Sequence, residues 1–231
     1  MKKIGLIGGM SWESTKVYYE IINKKVREQL GGFHSAKCII ESVDFSEIEI
    51  LQHNNDWESL NTLMVESAKN LENAKADFIL LCTNTMHLCS DVIIKNINIP
   101  FLHIAVVTAK KIQEKKLNRV LLLGTKFTME SDFFKNILLE DFGIEVITPN
   151  LTDRDTVHNI IYNELVHGTI RRSSKVKYIE IINKAIKEGA QGVILGCTEI
   201  PLLINREDID LPVFDTTRIH AESAVEYALK E

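Results

Sequence analysis

Two stretches of the chain place small polar and thiol side chains directly after short apolar runs. The segment 82–85, Cys-Thr-Asn-Thr, follows the apolar run 78–81, and the segment 197–199, Cys-Thr-Glu, lies one glycine beyond the run 193–195. Such runs are typical of buried parallel strands. Ligands of open α/β sheets bind beyond the carboxyl ends of the strands. The pattern therefore predicts reactive groups at two strand ends, where both could act on one substrate.

Cys197 is the strongest candidate for a nucleophile or a base. The ordinary pKa of a thiol is about 8.5, so backbone N–H groups at a helix start or an adjacent base would produce a thiolate near neutral pH. Glu199 could polarise this thiol or bind an amine, or it could be a simple first-turn acid of a helix. The other interpretation of Cys197 is a small core residue, the commonest fate of a cysteine. Its position at a strand end favours the chemical role.

Thr83 occupies the corresponding place in the first stretch, followed by Asn84 and Thr85. These side chains could hydrogen-bond a carboxylate, or they could cap a helix, and the spacing leaves both possibilities open. Cys82 lies one residue earlier, so strand alternation points it away from Thr83 and predicts a core residue. His87 could be a proton partner behind the turn or a structural histidine.

Strands alternate with helices of ten or more residues along the chain, which predicts a parallel α/β fold. Gln52 falls in an expected polar loop, and Asp56 is an expected helix cap. The predicted strands are 3–8, 38–43, 78–82, 118–124, 145–148, 192–195 and 212–215.

A weak internal repeat divides the chain into two similar halves. Residues 4–14 resemble residues 120–131, and a polar turn follows each copy at a similar distance. We therefore expect two pseudo-symmetric α/β lobes, with helices on both faces of each parallel sheet and the active site in the cleft between the lobes. The expected boundaries are 1–103 plus 211–231 for the first lobe, which is discontinuous, and 104–210 for the second.

Composition excludes several classes of protein. The 231 residues carry a net charge of -5, which gives no electrostatic footprint for nucleic acid or an anionic membrane surface. No run reaches the roughly 18 apolar residues of a membrane span, and the short apolar N-terminus is not a signal peptide, so we expect a cytoplasmic protein. The four cysteines lack zinc-ligand spacing. The Gly5-to-Gly9 turn matches neither a dinucleotide fingerprint nor a P-loop.

Three motifs carry a family resemblance over essentially the whole chain. The segments GLIGGMSWEST (5–15), LCTNTMH (81–87) and GVILGCTEIPLL (192–203) resemble the aspartate/glutamate racemase family. The resemblance implies an enzyme that moves the α-proton of an amino acid with two residues, without pyridoxal phosphate, metal or other cofactor. It also implies a homodimer whose only other partner is a small-molecule amino-acid substrate.

This sequence departs from the usual cysteine pair of that family at its first position. The family's cysteine before Asn-Thr aligns with Thr83, so the chain is similar to the bacterial Thr/Cys subgroup specific for L-aspartate and L-glutamate. A hydroxyl is far less acidic than a thiol, so Thr83 can deliver a proton but is a poor base. We therefore assign Cys197 as the base for the L-substrate and Thr83 as the acid.

The resemblance also implies a set of substrate-binding residues. The α-carboxylate and amine would be held near Met10, Ser11, Asn84, Thr85, Thr198 and Glu199, with Gln52 on the distal carboxylate. Two alternatives stay open. One is a sister enzyme of maleate isomerase, hydantoin racemase or malonate decarboxylase type, and the other is a non-catalytic protein that binds acidic amino acids.

Overall fold

The computed structural model describes residues 1–230, in which strands and helices alternate. The strands are β1 (Ile4–Gly8), β2 (Cys38–Ser42), β3 (Phe78–Leu81), β4 (Arg119–Gly124), β5 (Glu145–Ile147), β6 (Val193–Gly196) and β7 (Val213–Asp215). The helices are α1 (Trp12–Leu30), α2 (Phe45–His53), α3 (Trp57–Asn73), α4 (Ser90–Asn96), α5 (Ile104–Glu114), α6 (Lys126–Glu130), α7 (Asp132–Asn136), α8 (Leu151–Asn163), α9 (Arg172–Lys187), α10 (Ile200–Leu203) and α11 (Thr216–Leu229). Short 3₁₀ helices cover Thr85–Cys89 and Leu165–His167, and Ile137–Asp141 forms a π-helical turn.

The chain forms two compact units. Unit 1 contains Met1–Ile104 and the C-terminal segment from His220, and unit 2 contains Ala105–Ile219. The second boundary differs from the expected one at 210/211, because β7 pairs in parallel with β6 and so belongs to the sheet of unit 2. The last residue of the expected first lobe, Glu231, lies outside the described residues.

Unit 1 contains a parallel sheet of order β2-β1-β3, in which β1 and β3 are buried. Strand alternation separates the two faces: Ile7 packs against α3, whereas Leu6 packs against α1 and the end of α11. Burial of this kind contributes about 25 cal/mol per Å² of apolar surface. The last helix packs against the first sheet, so this unit is discontinuous along the chain.

Unit 2 repeats the same order with an additional strand, as β5-β4-β6-β7, and all its pairings are parallel. Leu121, Leu123, Val193 and Leu195 form one buried cluster with residues of α8 and α9. In each unit the first strand is central and the next two strands flank it. The predicted α/β fold with parallel sheets and helices on both faces is confirmed, and the topological repeat agrees with the sequence repeat.

Two local expectations differ from the structure. Gln52 lies in α2 and is buried, not in a polar loop, because Asp44 caps that helix with its side chain on the Ser46 N–H at 3.0 Å. The sequence pattern also predicts one helix over 132–142, where the structure has the short α7 followed by the π-helical turn. Within residues 1–230, none of the helices combines the length and apolarity that crossing a membrane requires.

Candidate active site

The first candidate turn begins where β3 ends, at Leu81. Cys82 is buried in the core with residues of α1 and α11, and this burial raises the pKa of its thiol. Its carbonyl accepts a hydrogen bond from the Ser14 hydroxyl at 2.8 Å, and its N–H donates to the Ile7 carbonyl at 2.9 Å. Cys82 is therefore a core residue as predicted, and the next residue, Thr83, is half-buried.

Asn84 and Thr85 lead into the 3₁₀ helix of 85–89. Asn84 is 6% exposed and occupies the cap position, but its side chain makes no capping hydrogen bond. The helix-cap interpretation of Asn84 is therefore not the one that the structure adopts. Thr85 is half-buried at the first position of the 3₁₀ helix.

Two further sequence-predicted residues lie with this turn in unit 1. Met10 follows β1, is 6% exposed and shares one buried cluster with Met86. The Gln52 amide reaches the same residue, since its Nε2 donates to the Met86 Sδ over 3.1 Å. A thioether is a weak acceptor, so the buried Gln52 amide is poorly satisfied compared with a contact to a carboxylate.

Ser11 begins α1 and is tied to it by its own oxygens. Its hydroxyl accepts the Ser14 N–H at 3.4 Å, and its carbonyl accepts the Thr15 hydroxyl at 3.0 Å. Thr15 in turn accepts the N–H of Gly9 at 2.8 Å. Gly9 has a φ of 92°, and a Cβ there would lie 2.1 Å from the Val43 carbonyl oxygen, so only glycine fits.

The second candidate turn begins where β6 ends, at Gly196. The Cys197 thiol donates to the Glu199 Oε2 at 2.7 Å, and the Thr198 hydroxyl donates to the same oxygen at 3.1 Å. All three residues are half-buried, and Cys197 packs against the main apolar cluster of unit 2. One carboxylate oxygen thus accepts hydrogen bonds from two neighbouring side chains.

The electrostatics of Cys197 differ from the expectation. Burial, and next the charge and hydrogen bond of the Glu199 carboxylate, hold the pKa of the thiol well above its ordinary value. The N–H groups of Glu199 and Thr198 act in the opposite direction, as the sequence suggested, but are outweighed. The resting form is therefore the thiol, not the thiolate.

Three buried histidines surround the first turn within unit 1. The rings of His87 and His103 lie 4.7 Å apart, and those of His87 and His220 lie 5.7 Å apart. Burial is the main reason that the pKa of each is lowered, to about 4 for His103 and about 3 for His220. Only His87 is singled out by the sequence pattern, because His103 and His220 belong to neither polar turn and lie elsewhere along the chain.

Within residues 1–230, no group of three or more histidine, cysteine, aspartate or glutamate side chains is arranged to hold a metal ion. The predicted site residues divide between the two units. Unit 1 contains Met10, Gln52, Thr83, Asn84 and Thr85, and unit 2 contains Cys197, Thr198 and Glu199.

The chain is similar to racemases over nearly its full length. Residues 7–224 match the model of the Asp/Glu/Hydantoin racemase family. A Yersinia pestis protein, provisionally assigned as an Asp/Glu racemase, has a crystal structure with a TM-score of 0.96 and 51% identity, covering 100% of both chains. An aspartate racemase homologue from Pyrococcus horikoshii OT3 gives a TM-score of 0.88 and 37% identity, again over 100% of both chains. The broad specificity amino-acid racemase RacX of Bacillus subtilis (strain 168) is 25% identical over 174 residues, which is 74% of this chain and 73% of that protein.

Proposed function

The chain belongs to the Asp/Glu/Hydantoin racemase family, and from this premise we propose that it racemises L-aspartate or L-glutamate without a cofactor. Cys197 takes the α-proton of the L-amino acid, and Thr83 delivers a proton to the opposite face of the α-carbon. The hydrogen bond of 2.7 Å from the Cys197 thiol to Glu199 is the observation that carries this proposal.

Glu199 supports the first half of the reaction. The carboxylate accepts the thiol proton, the thiolate then removes the α-proton, and the electron pair stays on the substrate as a carbanion. A thiol with a raised pKa is ionised less often, but its thiolate is the stronger base for a weak carbon acid. The half-buried setting of Cys197 also strengthens the electrostatic effect of the neighbouring groups.

Thr83 supports the second half. Among the described residues of unit 1, no carboxylate or histidine ring hydrogen-bonds its hydroxyl, so nothing there would make it a base. A hydroxyl can nevertheless transfer its proton to a carbanion, which is a far stronger base, and regain a proton from water. This difference in acidity favours reaction from the L-enantiomer.

Gln52 is the proposed donor to the distal carboxylate, and Met10, Ser11, Asn84, Thr85 and Thr198 are proposed to bind the amino and α-carboxylate groups. The buried Gln52 amide lies against the weak sulfur acceptor of Met86, so a carboxylate oxygen would be a better partner.

The test is hydrogen exchange at the α-carbon. The protein is incubated in D₂O with L-aspartate, and separately with L-glutamate, with chelator and without pyridoxal phosphate, and loss of the α-proton is followed by NMR. We expect exchange in the wild type and a loss of about 10³-fold or more in Cys197→Ala, because the base is removed.

Cys38→Ala is the matched control, since Cys38 is a half-buried cysteine on β2. It should keep the wild-type exchange rate within about twofold, as expected for a residue away from the chemistry. Saturable binding of an acidic amino acid without any α-proton exchange would replace the racemase proposal with a binding function.

A further inference from the structure

His87 is placed to control the backbone from which the Thr83 side chain projects. The ring is fully buried, and its Nδ1 lies 2.7 Å from the Thr83 carbonyl oxygen, while its Nε2 lies 3.2 Å from the backbone nitrogen of Ile104. A carbonyl only accepts and an N–H only donates. His87 is therefore neutral, with the hydrogen on Nδ1, and both ring nitrogens are used.

The Thr83 carbonyl depends on this contact. β3 ends at Leu81, so Thr83 lies beyond the ladder hydrogen bonds of the sheet. The imidazole supplies a partner four residues away, and the His87 N–H also donates to the Asn84 carbonyl at 3.1 Å. Two hydrogen bonds from one residue thus define the backbone at 83 and 84.

The ring of His87 has little freedom to turn. Phe101 packs against it edge-on with centroids 5.6 Å apart, and the His103 and His220 rings lie 4.7 and 5.7 Å from it. His220 is itself held, because its Nε2 donates to the Leu102 carbonyl at 2.8 Å and its Nδ1 accepts the Tyr18 hydroxyl at 3.0 Å. Rigid support of this kind is what a proton donor needs, because misplacement by about 1 Å can cost about 10²-fold in rate.

We propose that His87 is a positioning residue, which aims the Thr83 hydroxyl by holding the Thr83 carbonyl through Nδ1–H. This inference rests on the proposed function, in which Thr83 reprotonates the substrate. His87 does not touch the reacting atoms in this account, and it acts on only one of the two proton transfers.

Two substitutions separate the two contacts of the ring. Asparagine places an amide nitrogen at the same number of bonds from Cα as Nδ1, so His87→Asn can keep the donor to the Thr83 carbonyl. Glutamine places its terminal oxygen or nitrogen at the bond distance of Nε2, so His87→Gln can keep the acceptor for Ile104 but loses the donor to Thr83.

The readout is a ratio of two products from L-substrate in D₂O. Return of a deuteron by Cys197 gives deuterated L-amino acid, whereas delivery by Thr83 gives deuterated D-amino acid. The initial rates of both are measured by NMR and chiral chromatography. Because both products come from the same folded molecules, the ratio of D to deuterated L is independent of the fraction of protein that folds.

We expect His87→Gln to lower this ratio by about tenfold or more, and His87→Asn to keep it within about threefold. His34→Gln is the control, because it makes the same exchange at an exposed histidine outside this cluster, and it should keep the wild-type ratio. Equal ratios in wild type and His87→Gln, or equal losses in both His87 variants, overturn the positioning role.

The failure of the proposed function would look different. A wild-type protein that exchanges no α-proton overturns the racemase proposal and the role of His87 with it. A wild-type protein that racemises, together with His87 variants that lose rate without changing the ratio, overturns the role of His87 alone.

Discussion

The turns after β3 and after β6 follow corresponding strands of two sheets with the same order, and they surround their candidate groups differently. Behind Thr83 lies the neutral ring of His87, which bonds the carbonyl of that residue and not its hydroxyl. Beside Cys197 lies the carboxylate of Glu199, which accepts the thiol proton directly at 2.7 Å. One turn supports a backbone, and the other supports a reactive side chain.

This difference teaches that a repeated fold need not repeat its chemistry. Under the proposed function, the Glu199 carboxylate takes the thiol proton during the reaction, whereas in the resting site its charge raises the pKa of the thiol. Under the same proposal, Thr83 gives a proton and the neutral ring of His87 supports its backbone. We therefore expect the two turns to respond differently when their partners are changed.

The largest effect should come from Glu199→Gln. Glutamine keeps a hydrogen-bonding oxygen at the site but cannot take the thiol proton at neutral pH. Removing a general base typically costs 10²- to 10⁴-fold, so α-proton exchange should fall by about 10²-fold or more. Initial exchange rates in D₂O measure this effect.

The same variant checks the electrostatic cause. The Glu199 charge is one of the effects that raise the pKa of Cys197, so its removal should lower that pKa and speed alkylation of the thiol at a fixed pH near 8. Alkylation by iodoacetamide is followed by mass spectrometry. Cys82 is not expected to be alkylated, because its thiol is buried. Slower alkylation of Cys197 in Glu199→Gln would contradict the Glu199 charge as a cause of the raised pKa.

Thr83→Cys should weaken the asymmetry between the turns. A thiol ordinarily has a pKa of about 8.5, so a cysteine at this place can act as a base where the hydroxyl cannot. We expect exchange of the D-enantiomer to rise by about tenfold or more relative to the wild type. Thr83→Ser is the control, because it keeps the hydroxyl, and a rise in that variant too would argue against acidity as the cause.

The sequence predicted the parts of this molecule that local patterns control. Apolar runs and helix caps identify the strands and most helices, and alternation at the end of β3 separates the core residue Cys82 from Thr83. The prediction that Gln52 lies in a loop was wrong, because Asp44 caps the start of a helix inside this polar segment. Polar composition alone predicts a loop there.

The electrostatics and the histidine cluster depend on contacts that no local pattern contains. The pKa of Cys197 follows from its burial and from the direction of the Glu199 side chain. The strand-end position therefore predicted a lowered pKa for this thiol, whereas the pKa is raised. His103 and His220 join His87 through residues far apart along the chain. A buried neutral histidine has no short motif, whereas Cys-Thr-Glu and Thr-Asn-Thr do.

Gln52→Met tests whether Gln52, which contacts Met86 beside the first turn, binds the distal carboxylate of the substrate. Methionine matches glutamine in length and removes the amide donor that now faces Met86. A lost hydrogen bond to a charged group of about 1.5 kcal/mol corresponds to about a tenfold rise in KM, with kcat within about twofold. Gln113→Met, at an exposed position in α5, is the control. An unchanged KM would assign the distal carboxylate to another residue.

The smallest effect concerns the loss of stability in acid that the buried histidines beside the first turn cause. The pKa of His220 is lowered from 6.5 to about 3 in the folded protein, mainly by burial, with His103 as a charged neighbour when protonated. Between these values the unfolded state binds more protons than the folded state. The stability is therefore fully present above about pH 6.5 and falls as the pH falls.

His220→Gln should remove the proton that the unfolded state binds at this residue, and it keeps a donor to the Leu102 carbonyl. In urea titrations at pH 7, 6 and 5, the free energy of unfolding of the wild type should fall more steeply than that of the variant. The difference should approach about 1.4 kcal/mol per pH unit, because that is the value of one proton. The variant should keep some acid sensitivity, since His87 and His103 also have lowered pKa values. Equal slopes for the two proteins would mean that His220 is already protonated in the folded state at pH 5, and the acid response would then lie outside this histidine.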